Sequence, residues 1–244
     1  MLLRRVSQHL KDQNWTAVVI DFFIVVIGVF VGLQVQEWYA DRALRIADGK
    51  YMQRLQGEVE ELLNIRENVV APRTRNFENL ALANQKLYGN PNASPLTEDE
   101  CAAIQLSHVF INPTGALPTV DELLASGRLD NLSSPTVKRA IVDYRQTTAR
   151  AEGVIEAVNA GVLILSRKYP SLISLDGSST EVYGLIVKSP RPSCDLQAMR
   201  NDQGFLNDLA DNMSRFEAYY LFVLSEPSER LSDLKSALAV SLRD

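Results

Sequence analysis

Residues 17–35 read AVVIDFFIVVIGVFVGLQV, a run broken only by Asp21 and Gln34. At about 1.5 Å per residue, a helix of those nineteen residues covers roughly 29 Å, against a hydrocarbon core of about 30 Å. Fourteen of the nineteen are Val, Ile, Leu or Phe. At about −0.3 to −0.6 kcal/mol each they favour insertion by roughly 4 to 8 kcal/mol, an upper bound because those values hold at the helix centre. One Asp opposes this by about 2.5 to 3.5 kcal/mol, and by less toward the ends. Insertion wins. Trp15 and Trp38 bracket the run where interfacial aromatics belong, so the stretch predicts a transmembrane signal anchor over 15–38. No A-x-A-like cleavage site follows, since Trp38-Tyr39-Ala40-Asp41-Arg42-Ala43 has the wrong spacing and carries charge. The apolar core from Phe22 to Leu33 alone would be short enough for a buried helix; its flanks extend it to a span.

The anchor is two-faced. At about 100° per residue, Asp21, Val25, Gly28, Gly32 and Val35 fall within about 40° of one line, with Phe23, Val26 and Phe30 opposite. Gly28-Val29-Phe30-Val31-Gly32 is a GxxxG motif, which lets two helix backbones approach closely. A carboxylate on that face needs a partner or a wet crevice, and the expectation is docking onto another transmembrane helix. The plainer alternative is that Asp21 snorkels to the interface near Trp15.

Residues 1–14 place Leu2, Leu3, Val6 and Leu10 at helical spacing among Arg4, Arg5 and Lys11. Such a segment is either a basic amphipathic helix on an anionic leaflet or an unstructured positive leader. Arg4, Arg5 and Lys11 before the anchor face Arg42, Arg45, Lys50 and Arg54 after it, so the positive-inside rule is nearly silent. The signal-anchor layout favours a cytoplasmic N-terminus and a periplasmic C-terminal domain in a bacterial inner membrane. Cys101 and Cys194 fit a disulfide in an oxidising compartment and equally two buried thiols.

The whole chain has 244 residues, 46% hydrophobic and 23% charged, which is globular composition for one or two domains. Residues 39–244 carry 22 basic and 27 acidic side chains, a net −5 that gives no reason to expect nucleic acid as a partner. Past the anchor, Met52, Leu55, Val59, Leu62 and Leu63 set an amphipathic helical pattern, predicting a stalk over 39–71 that Pro72 interrupts. A soluble α-helical domain is expected over 72–244. Its first helix carries Phe77, Leu80, Ala83 and Leu87 and ends at Gly89-Asn90-Pro91-Asn92; a short one starts at Thr97. Thr119 and Glu122 have capping-box spacing, with Gly127 as the stop. Ser134-Pro135 opens a long helix to about Lys168, with Val137, Ile141, Tyr144, Ala151, Ile155, Val158, Val162 and Leu165 inward. Pro170 to Pro192 reads as irregular, with one strand at Val182 to Val187. Helices through Phe205–Val223, ending at Pro227, and through Leu231–Leu242 close the chain. The fold class expected is all-α: one transmembrane helix continuing into a stalk, then an antiparallel bundle with one irregular loop region.

Chemistry is sparse. His108 is the one histidine beyond the anchor, with no motif on either side, and two histidines with two cysteines make no metal cage. There is no G-x-S-x-G, P-loop or G-x-G-x-x-G, and Glu58, Glu60 and Glu61 read as a solvated helix face. No enzyme and no cofactor are expected.

Gln13-Asn14-Trp15-Thr16-Ala17-Val18, Ile20-Asp21-Phe22, Gly28 to Gly32 and Gln34-Val35 together resemble the anchor of a family of uncharacterised proteobacterial single-pass membrane proteins. PTVDELLASGRL, Pro118 to Leu129, is similar to a second recurring segment of that family. The resemblance implies an inner-membrane anchor and a mostly helical domain, and lends no catalytic residue. The layout also resembles ion-driven motor subunits of the TonB, Tol and flagellar stator systems, in which the membrane Asp carries protons; Asp21 is the position that would carry over. The expectation is a non-enzymatic accessory or scaffold subunit whose partner is another integral membrane protein. Self-association and a proton-coupled role for Asp21 are the alternatives.

Overall fold

The computed structural model describes residues 15–89, 94–182 and 185–243. The protein is all-α, 78% helical, with one two-stranded sheet among the described residues. It divides into two compact units, Met1–Tyr51 and Met52–Asp244. The first helix, α1, is Trp15–Tyr88, and the boundary between the units falls within it.

In the first unit, every described side chain from Phe22 to Ile46 is exposed. The helix Phe22–Tyr88 is long and apolar enough to cross a membrane, and none of its most apolar window is buried.

In the second unit, α1 buries Met52, Leu55, Val59 and Leu62, then Leu80, Ala83 and Leu87. The break expected at Pro72 is absent: the helix runs through it. A mid-helix proline costs roughly 3 kcal/mol through a lost hydrogen bond and a carbonyl clash. Six large apolar side chains buried on either side, at about 1.5–3 kcal/mol each, outweigh that.

Helix α2, Glu98–Gln105, starts on a full capping box in which Thr97 and Glu100 exchange side-chain and backbone bonds. Helix α3, Pro118–Ala125, departs from expectation. Its N-cap is Leu117, and Thr119 and Glu122 form no capping box. The buried Thr119 hydroxyl instead donates to Glu58 Oε1 at 2.6 Å and accepts from Arg54 Nε at 2.6 Å, while Glu122 pairs with Arg54. Gly127, at φ +65°, stops the helix as expected.

Helix α4, Pro135–Asn159, opens with Ser134 accepting from the Val137 amide. It stops well short of Lys168, because Gly161 takes φ +77° and Arg215 Nη1 donates to the Ala160 carbonyl at 2.6 Å just past the helix end. Leu165–Lys168 is a separate short helix, α5. Of the inward stripe, Val137, Ile141, Tyr144, Ala151, Val158 and Leu165 are buried, and Ile155 and Val162 partly so.

The stretch read as irregular is a long antiparallel hairpin, β1 Ile173–Val182 and β2 Leu185–Cys194. Pro190 and Pro192 obscured it. They sit two residues apart, so both nitrogens face the same side of β2, and a two-stranded ribbon leaves one side of each strand without a partner. At the hairpin base, Cys194 opposite Ile173 is disulfide-bonded to Cys101 of α2, Cα–Cα 5.8 Å.

Helix α6, Leu196–Asn201, is capped by Asp195, and α7, Gln203–Tyr219, by Asp202. The expected stop at Pro227 is not there. A π-helical segment, Tyr220–Ser225, carries α7 directly into α8, Glu226–Ser241. Helix α4 packs along α8 and against α7. The core joins Leu80, Ala83 and Leu87 of α1 to Ile104, Leu165, Phe205, Leu209 and Phe216. Phe77 stacks on Tyr220 at 4.6 Å, and Phe110, Phe216 and Tyr219 complete an aromatic cluster.

Candidate functional site

Two places carry polar or small residues where burial alone would not put them, one in each unit. The first is the glycine-bearing face of the apolar run. Val25, Gly28, Gly32 and Val35 are exposed, and a Cβ added at Gly28 or Gly32 would meet nothing within 4 Å. Trp15 and Asp21 belong to α1, but their side chains lie outside what is described; Arg4, Arg5 and Lys11, with the expected 1–14 segment, lie outside the described residues altogether. At the C-terminal end of the run, Trp38 is 52% exposed and sits edge-on to Tyr39 at 5.1 Å. The Arg42 guanidinium lies 5.6 Å from the Trp38 ring centroid, a cation–π contact. Trp38, Arg42, Arg45 and Ile46 line a shallow hollow, the mix of aromatic ring and long cation found at a membrane–water boundary.

The second place is built by Pro227. Lacking an N–H, it cannot bond the carbonyl of Val223 one turn back, and its ring would crowd that carbonyl in a regular α-helix. The π-helical segment widens the turn at this point. The Val223 carbonyl is taken instead by Arg66 of α1, whose Nη2 donates to it at 2.9 Å and to Leu224 O at 3.1 Å. Arg66 Nε donates to Ser228 Oγ at 3.0 Å, and Nη1 reaches Thr114 O at 3.5 Å. Arg66 is 2% exposed, yet no carboxylate pairs with it among the described residues. Burial lowers its pKa, against the pull of the Tyr144 and Tyr219 phenols. Nearby, the Tyr144 hydroxyl donates to Gly115 O at 2.9 Å, and burial pushes that phenol up to about 12 despite Arg66 and Arg145.

Sequence spacing held a signal for Arg66: positions 52, 55, 59, 62 and 66 form one 3–4 stripe, and the arginine is a charged side chain buried in line with apolar ones. His108 is half-buried, its Nδ1 2.9 Å from Gln105 O, and burial lowers its pKa. Among the described residues no His, Cys, Asp and Glu cluster could hold a metal. Cys101 and Cys194, which the sequence left open between a bond and two thiols, are bonded to each other. No protein-family model, curated protein or solved structure matches this chain.

Proposed function

We propose that this chain is a non-enzymatic, single-pass accessory or scaffold subunit of a bacterial inner membrane. Its N-terminus is cytoplasmic and its disulfide-bonded helical domain periplasmic. The anchor packs on a helix of a partner membrane protein through Asp21, Val25, Gly28, Gly32 and Val35, and the helical domain presents a protein-binding surface. The observation that carries this reading is the bare glycine face: two glycines one turn apart with open space over both, on a helix whose described side chains from Phe22 to Ile46 are all exposed. The cystine supports the periplasmic assignment, because disulfides persist in oxidising compartments.

The test is purification of the tagged full-length chain from native membranes in mild detergent, beside a Gly28→Leu variant. A stoichiometric integral membrane protein that co-purifies, and is lost from the variant, is the expected result. A self-oligomer lost from the variant moves the docking face to a second copy of this chain. Association unchanged by Gly28→Leu, or a monomer in both, defeats the reading.

A further inference from the structure

We infer that the cleft beside Arg66 is a binding site for a small organic monocarboxylate. A guanidinium has five N–H donors, and a buried one without a counter-charge is costly. Nε and Nη2 are committed to Ser228 Oγ and to the Val223 and Leu224 carbonyls. Nη1, with two protons, has a single contact at 3.5 Å, the limit of a hydrogen bond. Arg66 lines a cleft of about 290 Å³, where Asn112 offers a further polar group and Val223 and Pro227 an apolar wall; the Thr148 hydroxyl on its edge donates to Arg145 O at 3.0 Å. A carboxylate here would give Arg66 the counter-charge that the described residues do not provide, with its alkyl part against that wall. The rim argues against a dianion such as phosphate. Arg145, the other cation lining the cleft, is 3.2 Å from Asp121, and Glu152 borders the opening as an exposed acid.

The experiment titrates the full-length chain in detergent with sodium isobutyrate at constant ionic strength, followed by calorimetry. Sodium chloride and sodium phosphate serve as comparison anions. Saturable binding in the range of about 1–10 mM is expected for isobutyrate and not for phosphate. Thr148→Phe, which fills the cleft from a half-exposed position, abolishes it. Glu152→Gln, which removes the acid from the rim, tightens it about 2- to 5-fold, the size of an exposed charge effect. Thr148→Phe is judged only if its helicity matches the parent; Glu152→Gln, at an exposed position, tests the idea independently. No saturation by about 50 mM, binding that survives Thr148→Phe, no gain from Glu152→Gln, or phosphate binding as tightly as isobutyrate each overturns the proposal.

Discussion

Removing the cystine should be the most damaging covalent change to the helical domain. Cys101 and Cys194 are 93 residues apart, so their bond closes a long loop in the unfolded chain. Chain-entropy arithmetic for a loop of that size gives about 4.7 kcal/mol at room temperature, toward the top of the usual range of about 2–5. The hairpin has a particular need of it: two strands alone are marginal in water, and here the bond pins the base of β2 to the capped helix α2. A Cys101→Ser, Cys194→Ser double variant should therefore lose about 3–5 kcal/mol. For a unit of this size that corresponds to a fall in Tm of roughly 6 to 20 °C, read by differential scanning fluorimetry of the full-length protein in detergent. Parent protein treated with reductant should fall by a similar amount, and the double variant should be indifferent to it. Two alkylated cysteines in denatured, unreduced parent protein would refute the reasoning, as would a Tm change below about 2 °C.

Other changes test individual contacts. Burial works to raise the Glu100 pKa, but hydrogen bonds from Lys86 Nζ and Thr97 N, both 2.7 Å, hold it below the ordinary 4.5. A depressed carboxylate pKa stabilises fully above the unfolded value, and that stability fades as pH falls through the folded value. Glu100→Gln should cost about 1–3 kcal/mol near neutrality and converge on the parent in acid, below that folded value; a gap independent of pH in urea unfolding would contradict this. The Tyr219 hydroxyl donates to Ile111 O at 2.7 Å and accepts from Ile111 N at 3.2 Å, so Tyr219→Phe orphans both backbone groups. It should cost about 1–3 kcal/mol by the same assay, and more than Tyr88→Phe, which loses one bond to Leu206 O; equal costs would count against it.

Much of this fold was legible because local signals and burial agreed. Thr97 as a helix start, Ser134 with Pro135, and Gly127 all act where their chemistry placed them. Misreadings came where a tertiary partner took over a local group. Thr119 looked like a cap because its spacing to Glu122 was right, but Glu58 and Arg54, some sixty residues earlier, claimed its hydroxyl. Pro72 and Pro227 looked like stops because proline removes a donor; packing on both sides carried α1 through the first, and Arg66 supplied the lost donor at the second. Pro190 and Pro192 hid a strand whose other side was the one that paired. The long apolar helix was legible from composition alone, whereas the cleft was not: it depends on Arg66 meeting a carbonyl from a segment more than 150 residues away.

The π-helical segment also keeps two halves of a helix in phase. The buried positions Phe205, Leu209, Asn212, Phe216 and Tyr219 alternate steps of four and three, and Leu231, Leu234 and Leu238 resume that rhythm. Between them Tyr219, Val223, Pro227 and Leu231 are spaced by four three times running. In a regular α-helix, three such steps would swing the inward stripe by about 120°, turning the last leucines out of the core. The wide turn absorbs one residue and brings the stripe back into line. The carbonyls around that surplus residue are what Arg66 holds, so the arginine acts as the clasp on an insertion: a one-residue shortening of 220–225 would make the helix regular and leave the clasp only the carbonyl that the proline cannot bond.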